Sequence, residues 1–360
     1  MSAFLSKRHD ALPVYVPGEH ADGEGFIRLN TNESPYPPSP GVLAAVAGEV
    51  DGLGFYNDPD ATRLHEAIAQ INGVDPACVM ATNGSDEALY LAFLAFSDEK
   101  TPIALPDVTY GYYDLFAALH HIPLHRVPLC EDYTVDPRDY MGLHEMIVLA
   151  NPNAPTGLAL GLDEIEEIAR SNPQNVVLID EAYVDFGADS ALPLIARCKN
   201  LLVVRTFSKS RSMAGARIGY ALGDAELIAD LRRIHNAAGL YSVSSMAQAA
   251  GVAACRENDY YVENCKKIMS ARKSTIDALR ELGFAVTDSL GNFVFAGHPR
   301  FSGEELASAL KSRGVLVRWF SGARTRDRCR ITVGTQQQMD RMIACVRDIL
   351  REREEGHEKR

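Results

Sequence analysis

No two of the seven cysteines in this 360-residue chain form a C-x-x-C pair; they are scattered over positions 78, 130, 198, 255, 265, 329 and 345. That spacing excludes a zinc ribbon and argues against a disulfide framework, favouring reduced thiols in the cytosol. Nowhere do roughly eighteen apolar residues run together, and the opening MSAFLSKRHDALP has no apolar stretch like that of a secretory leader. A soluble cytoplasmic protein is therefore expected. Basic charge is in deficit, with 36 Lys and Arg against 48 Asp and Glu and a net charge of −12. Nucleic acid and anionic membranes are poor partners for such a chain, so an anionic ligand must be small and met locally. No fixed-period repeat or low-complexity tract occurs. No G-x-G-x-x-G follows a strand and no G-x-x-x-x-G-K-[ST] occurs, so nicotinamide and nucleoside-triphosphate chemistry lack support.

The composition that remains is ordinary for a globular protein, 46% hydrophobic and 23% charged. At roughly 100–200 residues per domain, the length suggests two domains and a cleft between them. The segment TNESPYPPSP at 31–40 holds four prolines and reads as an extended arm. Leu64, Ala67, Ile68 and Ile71 keep helical spacing up to Gly73, and Leu89, Ala92, Phe93 and Phe96 do so after Asn83-Gly84-Ser85. Between such helices lie short apolar runs at 103–105, 147–150, 176–179 and 201–204. Continuous apolar runs are the mark of parallel strands covered on both faces, so an α/β domain is expected. Beyond about 240 the pattern changes to long helices at 244–255 and 257–282, a strand at 293–295, a capping box at Ser302 to Glu305, strands at 315–319 and 329–333, and a last helix opened by Thr335 and Gln338. This reads as a smaller α+β domain.

In an open α/β sheet, ligands bind beyond the carboxyl ends of the strands. Asp180-Glu181-Ala182-Tyr183 follows one apolar run and Asn151-Pro152-Asn153-Ala154-Pro155-Thr156-Gly157 another. Asn83-Gly84-Ser85-Asp86-Glu87 opens a helix, where main-chain N–H groups and the dipole suit a phosphate. Thr206-Phe207-Ser208-Lys209 follows a further strand, with Arg217 eight residues on. Taken singly, an aspartate at a strand end is most often a cap, a Gly-Ser helix start only a cap, and a lysine a surface charge. Together a phosphate cradle, a cation, a carboxylate, a phenol and a lysine converge on one sheet edge.

The order N-G-S-D-E, T-Y-G-Y-Y, N-P-N-A-P-T-G, D-E-A-Y and T-F-S-K-S-R-S-M-A-G-A-R-I-G-Y resembles the fold type I pyridoxal-phosphate aminotransferases, and within them the histidinol-phosphate aminotransferases. The likeness extends to L-N-T-N-E-S-P-Y-P-P-S-P at 29–40 and C-R-I-T-V-G-T at 329–335. It implies a mostly parallel seven-stranded sheet sandwiched by helices, with an arm at 1–42 packing on the small domain and dimer partner, a cofactor domain at 43–243 and a small domain at 244–360. It further implies a homodimer with active sites at the subunit interface, pyridoxal 5′-phosphate as cofactor, and a small amino donor and a 2-oxo acid as substrates: histidinol phosphate with 2-oxoglutarate, or alternatively an aromatic amino acid, or threonine phosphate in a decarboxylation.

By the same resemblance Lys209 would carry the cofactor covalently and move the proton, Asp180 would pair with the pyridine nitrogen, and Tyr183 would donate to the ring 3′-oxygen. Tyr110 would stack on the ring, while Gly84, Ser85, Asp86, Ser208 and Arg217 would hold the phosphate. Asn153 is a further cofactor contact, and Tyr56 would reach the neighbouring subunit's cofactor. Arg330 looks like the anion clamp, on a strand whose period of two sends Arg328 and Arg330 to the face opposite Cys329 and Ile331. Arg318 resembles a second anion contact, and Asn32 and Tyr36 on the arm would meet substrate. One departure is plain: Ala154 stands where the family usually has the asparagine that bonds the ring oxygen. Loss of that donor should raise the pKa of the lysine-cofactor link and leave more of the tuning to Tyr183.

Other chemistries find less in the residues. Pro123 breaks the helical spacing of His121 and His125, against a metal pair. The S-x-x-K matches at Ser270 and Ser308 lie inside helical patterns without K-T-G or S-D-N partners. A cofactor-sensing regulator on the same fold would need a DNA-reading module of roughly 60 residues for which the chain has no room.

Overall fold

The computed structural model describes residues 4–10, 12, 13, 18, 19 and 25–358, with side chains to 355. Its elements run β1 (Ile27–Leu29), α1 (Pro40–Gly48), α2 (Thr62–Asn72), β2 (Val79–Thr82), α3 (Ser85–Phe96), β3 (Ile103–Pro106), α4 (Tyr112–His120) and β4 (Leu124–Val127). There follow β5 (Met146–Ala150), α5 (Leu162–Ser171), β6 (Val177–Asp180), β7 (Leu201–Thr206), β8 (Gly219–Gly223), α6 (Ala225–Ala238) and α7 (Ser245–Arg256). The last part holds α8 (Asn258–Glu281), β9 (Ala285–Val286), β10 (Phe293–Gly297), α9 (Gly303–Lys311), β11 (Val315–Trp319), β12 (Arg328–Thr332) and α10 (Gln336–Glu358).

The larger sheet has seven strands in the order β2-β8-β7-β6-β5-β3-β4. All its pairings are parallel except those of β8, which runs antiparallel to both β2 and β7. Successive side chains on a strand face opposite ways, and both faces here are covered. Ile147, Leu149, Val177, Ile179, Leu201 and Val203 join one apolar cluster with Ile68 of α2 and Ile165 and Ile168 of α5. Val148, Leu178, Leu202 and Val204 join another with Leu89 and Phe93 of α3 and Leu231 of α6. That two-sided burial is why these strands read as unbroken apolar runs. Ala150, Asp180 and Val204 are in register across β5, β6 and β7, so the residues that follow them emerge at one edge.

The smaller sheet has five strands, β1-β11-β12-β10-β9. The arm supplies β1, which pairs in parallel with β11 through Ile27 opposite Val315. Helices α8, α9 and α10 bury Ile268, Leu306 and Met342 against Phe293, Cys329 and Ile331. The capping box at α9 forms, Ser302 and Glu305 each satisfying the other's main-chain N–H. One boundary moves: α7, which the sequence pattern assigns to the small domain, packs on α1 and α2, with Ala247, Ala250 and Ala254 in the large domain's cluster. Its alanines let the helices approach closely, so the small domain begins within α8. Arg324, in the loop between β11 and β12, ties the domains together by donating to Asp107 after β3 at 2.9 Å and to the carbonyls of Leu129 and Cys130 at 2.9 and 2.6 Å.

Candidate active site

Asp180 closes β6 and is 4% exposed. Its Oδ2 accepts from Tyr113 Oη at 2.7 Å and its Oδ1 from the main-chain N–H of Ala182 at 3.1 Å. Burial pushes its pKa up to about 6, against the lowering effect of those two hydrogen bonds. The neighbouring Glu181 is equally buried, but its carboxylate lies 2.9 Å from Arg205 Nε. Among the described residues no ion pair reaches Asp180. A buried carboxylate without a cation calls for one from outside the chain.

Asp180 opens on a cavity of about 190 Å³, whose walls also include Ser85, Asp86, Tyr110, Ala154, Tyr183, Ser208, Lys209 and Arg217. At one end lies the start of α3, which has no side-chain cap because its N-cap is Gly84. Gly84 has φ +82°, and a Cβ there would stand 2.5 Å from Arg217 Nη2. A Cβ on Gly219 would stand 2.2 Å from the nitrogen of Ser85. Glycine at both places lets β8 and a guanidinium crowd the first turn, leaving a cradle of N–H groups and cation suited to a phosphate. Arg217 Nη2 donates to Asp86 Oδ2 at 2.9 Å, and Tyr110 Oη donates to Oδ1 at 3.0 Å. The Asp86 carboxylate thus anchors the cradle's cation and an aromatic ring, leaving its main-chain N–H for an anion.

At the other end Lys209 Nζ donates to the carbonyl of Thr31 at 3.2 Å and lies 6.0 Å from the centre of the Tyr183 ring. Tyr183 Oη accepts from Asn32 Nδ2 at 2.9 Å. Lys209, Tyr183, Tyr110 and Ala154 also line a second, larger space of about 740 Å³, with Arg126, Arg318, Phe320 and Arg330 on its wall. Arg318 and Arg330 are direct partners in the antiparallel pairing of β11 with β12. Arg330 Nη2 donates to the carbonyl of Asn30 at 3.1 Å, and both guanidiniums lie 5.5 Å from the Phe320 ring. The two guanidiniums thus sit side by side on one face of the sheet, planar donors suited to an anion that enters the space.

Besides Gly84, whose place at the head of α3 is given above, four residues singled out from sequence are not in these walls. Asn153 spends its amide on the turn: Nδ2 donates to the carbonyl of Val108 at 2.9 Å and to Thr156 Oγ1 at 3.1 Å, and Oδ1 accepts from Thr109 at 2.8 Å. It therefore does not replace the amide missing at Ala154. Tyr36 packs against the small domain's apolar cluster with Lys267 Nζ 5.3 Å from its ring centre. Tyr56 is 85% exposed and lies against Tyr241, ring centres 4.8 Å apart. Asn32 is buried behind Tyr183. Conversely, Tyr113, Thr332 and Asn292 matter to the site without having been singled out. For Tyr113 a signal existed: in T-Y-G-Y-Y a fully buried phenol needs a hydrogen-bond partner.

Residues 24–346 match the family model for aminotransferase class I and II. The chain is 46% identical over 350 residues to histidinol-phosphate aminotransferase 1 of Bradyrhizobium diazoefficiens, covering 97% of this chain and 100% of that one. It is 40% identical over 353 residues to the histidinol-phosphate aminotransferase of Brachyspira hyodysenteriae, covering 98% and 100%. Among solved structures it superposes on histidinol-phosphate aminotransferase from Sinorhizobium meliloti in complex with pyridoxal-5′-phosphate, with a TM-score of 0.86, 25% identity and coverage of 98% and 99%.

Proposed function

The chain belongs to the class I and II aminotransferases, and we propose that it exchanges an amino group between histidinol phosphate and 2-oxoglutarate in histidine biosynthesis, with pyridoxal 5′-phosphate as cofactor. The observation that carries this reading is that Lys209 and the buried carboxylate of Asp180 open on one cavity, while Arg318 and Arg330, neighbours across the β11–β12 pairing, line one wall of the adjoining space. The residues fit the cofactor. The cradle at Gly84 and Ser85, with Ser208 and Arg217, suits its phosphate, and Asp180 suits a protonated ring nitrogen. When bound, the cofactor supplies an aldehyde that links to amines and a cationic ring that accepts an electron pair from the substrate's reacting carbon.

The chain's own part is positional and acid-base. Asp180, held by Tyr113 and Ala182, keeps a positive charge on the ring nitrogen because the alternative is a buried carboxylate with no counterion. Tyr110 would cover the ring face and Tyr183 would donate to the ring oxygen. Lys209 would hold the cofactor covalently, and its amine, when free, would take the proton from the substrate's reacting carbon and hold it for return. Arg318 and Arg330 bind the substrate's phosphate ester and the carboxylate of the 2-oxo acid in turn, two planar donors that suit either anion. Turnover of histidinol phosphate against phenylalanine and threonine phosphate tests the substrate, with histidinol phosphate expected to lead. Borohydride fixation followed by peptide mapping tests the lysine; a label anywhere but position 209 removes the basis of the reading.

The working unit in this reading is a cytoplasmic homodimer. Leu43, Val50, Leu53, Phe55, Tyr56 and Leu240 are exposed apolar side chains on neighbouring segments of the large domain, an arrangement that water disfavours and a second copy would cover. Among the described residues no helix is long and apolar enough to cross a membrane. Light scattering of wild type and Phe55→Glu tests the dimer, which the added charge should weaken.

A further inference from the structure

Asn32 is 1% exposed, adopts φ +55°, and bridges the two domains at the back of Tyr183. Its Nδ2 donates to Tyr183 Oη at 2.9 Å and its Oδ1 accepts from Thr332 Oγ1 at 3.0 Å. Its main-chain N–H donates to the same Thr332 Oγ1 at 2.9 Å, and its carbonyl accepts from Asn292 Nδ2 at 3.0 Å. Thr332 Oγ1 receives the Asn32 main-chain N–H and gives its own proton to Oδ1, and with Oδ1 so engaged the amide turns its N–H to the Tyr183 oxygen. A phenol that already accepts from behind gives its own proton forward, and forward of Tyr183 lies the cavity holding Lys209 and Ala154.

Resting on the cofactor assignment above, we propose that Asn32 is a positioning residue that sets the direction of Tyr183's proton, so that the phenol donates to the cofactor's ring oxygen where Ala154 supplies no donor. The left-handed backbone at position 32 suits this use, because asparagine is among the few residues other than glycine that adopt it readily. The arm therefore takes part in tuning the cofactor from a point that touches neither cofactor nor substrate.

The test is the pH titration of the visible absorbance of the Lys209-linked cofactor, read without turnover. Asn32→Asp keeps the shape but removes the N–H and offers an acceptor, so Tyr183's proton turns back and the ring oxygen loses its donor. The midpoint should rise by about one pH unit more in the wild-type background than in Tyr183→Phe. Equal shifts in the two backgrounds would mean that the effect bypasses the phenol, and would overturn the proposal. Thr332→Val, which leaves position 32 untouched, should raise the midpoint in the same direction by less; an unmoved midpoint counts against the proposal. Adding Ala154→Asn to Asn32→Asp should bring the midpoint back down, and no return also counts against it. Borohydride labelling of wild type separates the failures: no label at Lys209 defeats the cofactor assignment, whereas a normal label with equal shifts defeats only the role of Asn32.

Discussion

Asp180, Ser208 and Lys209 stand at the ends of two adjacent parallel strands, β6 and β7, whose register the sheet's buried faces enforce. Arg318 and Arg330 reach the adjoining space, and Asn32 the back of Tyr183, by another route: an arm strand added to a five-stranded sheet, which is itself docked on the large domain through Arg324. The first group is held by the core of one domain. The second depends on contacts between residues up to 300 positions apart, as between Asn32 and Thr332. Chemistry on the rigid side and recognition on the docked side is a division that lets one cofactor site serve different substrates by changing the other wall.

That division predicts different failures on the two sides. The largest effect belongs to the rigid side: Lys209→Ala should lower kcat by about 10³-fold or more with the fold intact, since it removes the proton-transfer group. A measurable rate within tenfold of wild type would break the assignment. On the docked side Arg330→Ala should lower kcat/KM for histidinol phosphate by roughly 10- to 150-fold, the loss of a charge-assisted hydrogen bond, while borohydride labelling at Lys209 persists. If labelling fails together with turnover, the two walls are not separable.

Asp180 gives a smaller, pH-dependent effect. In the cofactor-free protein its folded pKa of about 6 lies above the ordinary 3.8, so the folded chain holds this proton more tightly than the unfolded one. Stability from this group is present at low pH and lost as pH rises through about 6. Asp180→Asn escapes that loss, so its Tm relative to wild type should climb between about pH 4 and 6 and then level off. A Tm difference that is flat over this window would place the buried carboxylate in a different environment. The smallest effect is at the latch. Arg324→Ala should raise KM for histidinol phosphate a few-fold, about the scale of a partly exposed ion pair, and leave cofactor affinity unchanged. A loss of cofactor affinity instead would show that domain docking also shapes the rigid side.

How much of this was legible in sequence follows the same line. Asp180, Ser208 and Lys209 follow apolar runs that can only be buried parallel strands, so their convergence at one edge was readable, as were Ser85 and Arg217 in their motifs. Tyr36 and Asn153 lie outside the cavity walls because a motif names a residue without saying which way its side chain turns. Asn153 bonds the turn it belongs to, and Tyr36 packs on the small domain's apolar cluster. The helix α7 was assigned to the small domain because helical periodicity shows that a face is buried, but not against what.

By itself, then, the sequence determined four strands of the large sheet, β3, β5, β6 and β7, with their two-sided burial, and the convergence of Asp180, Ser208 and Lys209 at one edge, because each depends on short-range periodicity and on local order along the chain. Only the tertiary structure decided that Asn32 stands behind Tyr183, that Arg318 lies beside Arg330 and that Tyr113 reaches Asp180. Those are pairings across large sequence separations, set by how sheets and helices dock, and hydrogen-bond direction exists only once both partners are in place.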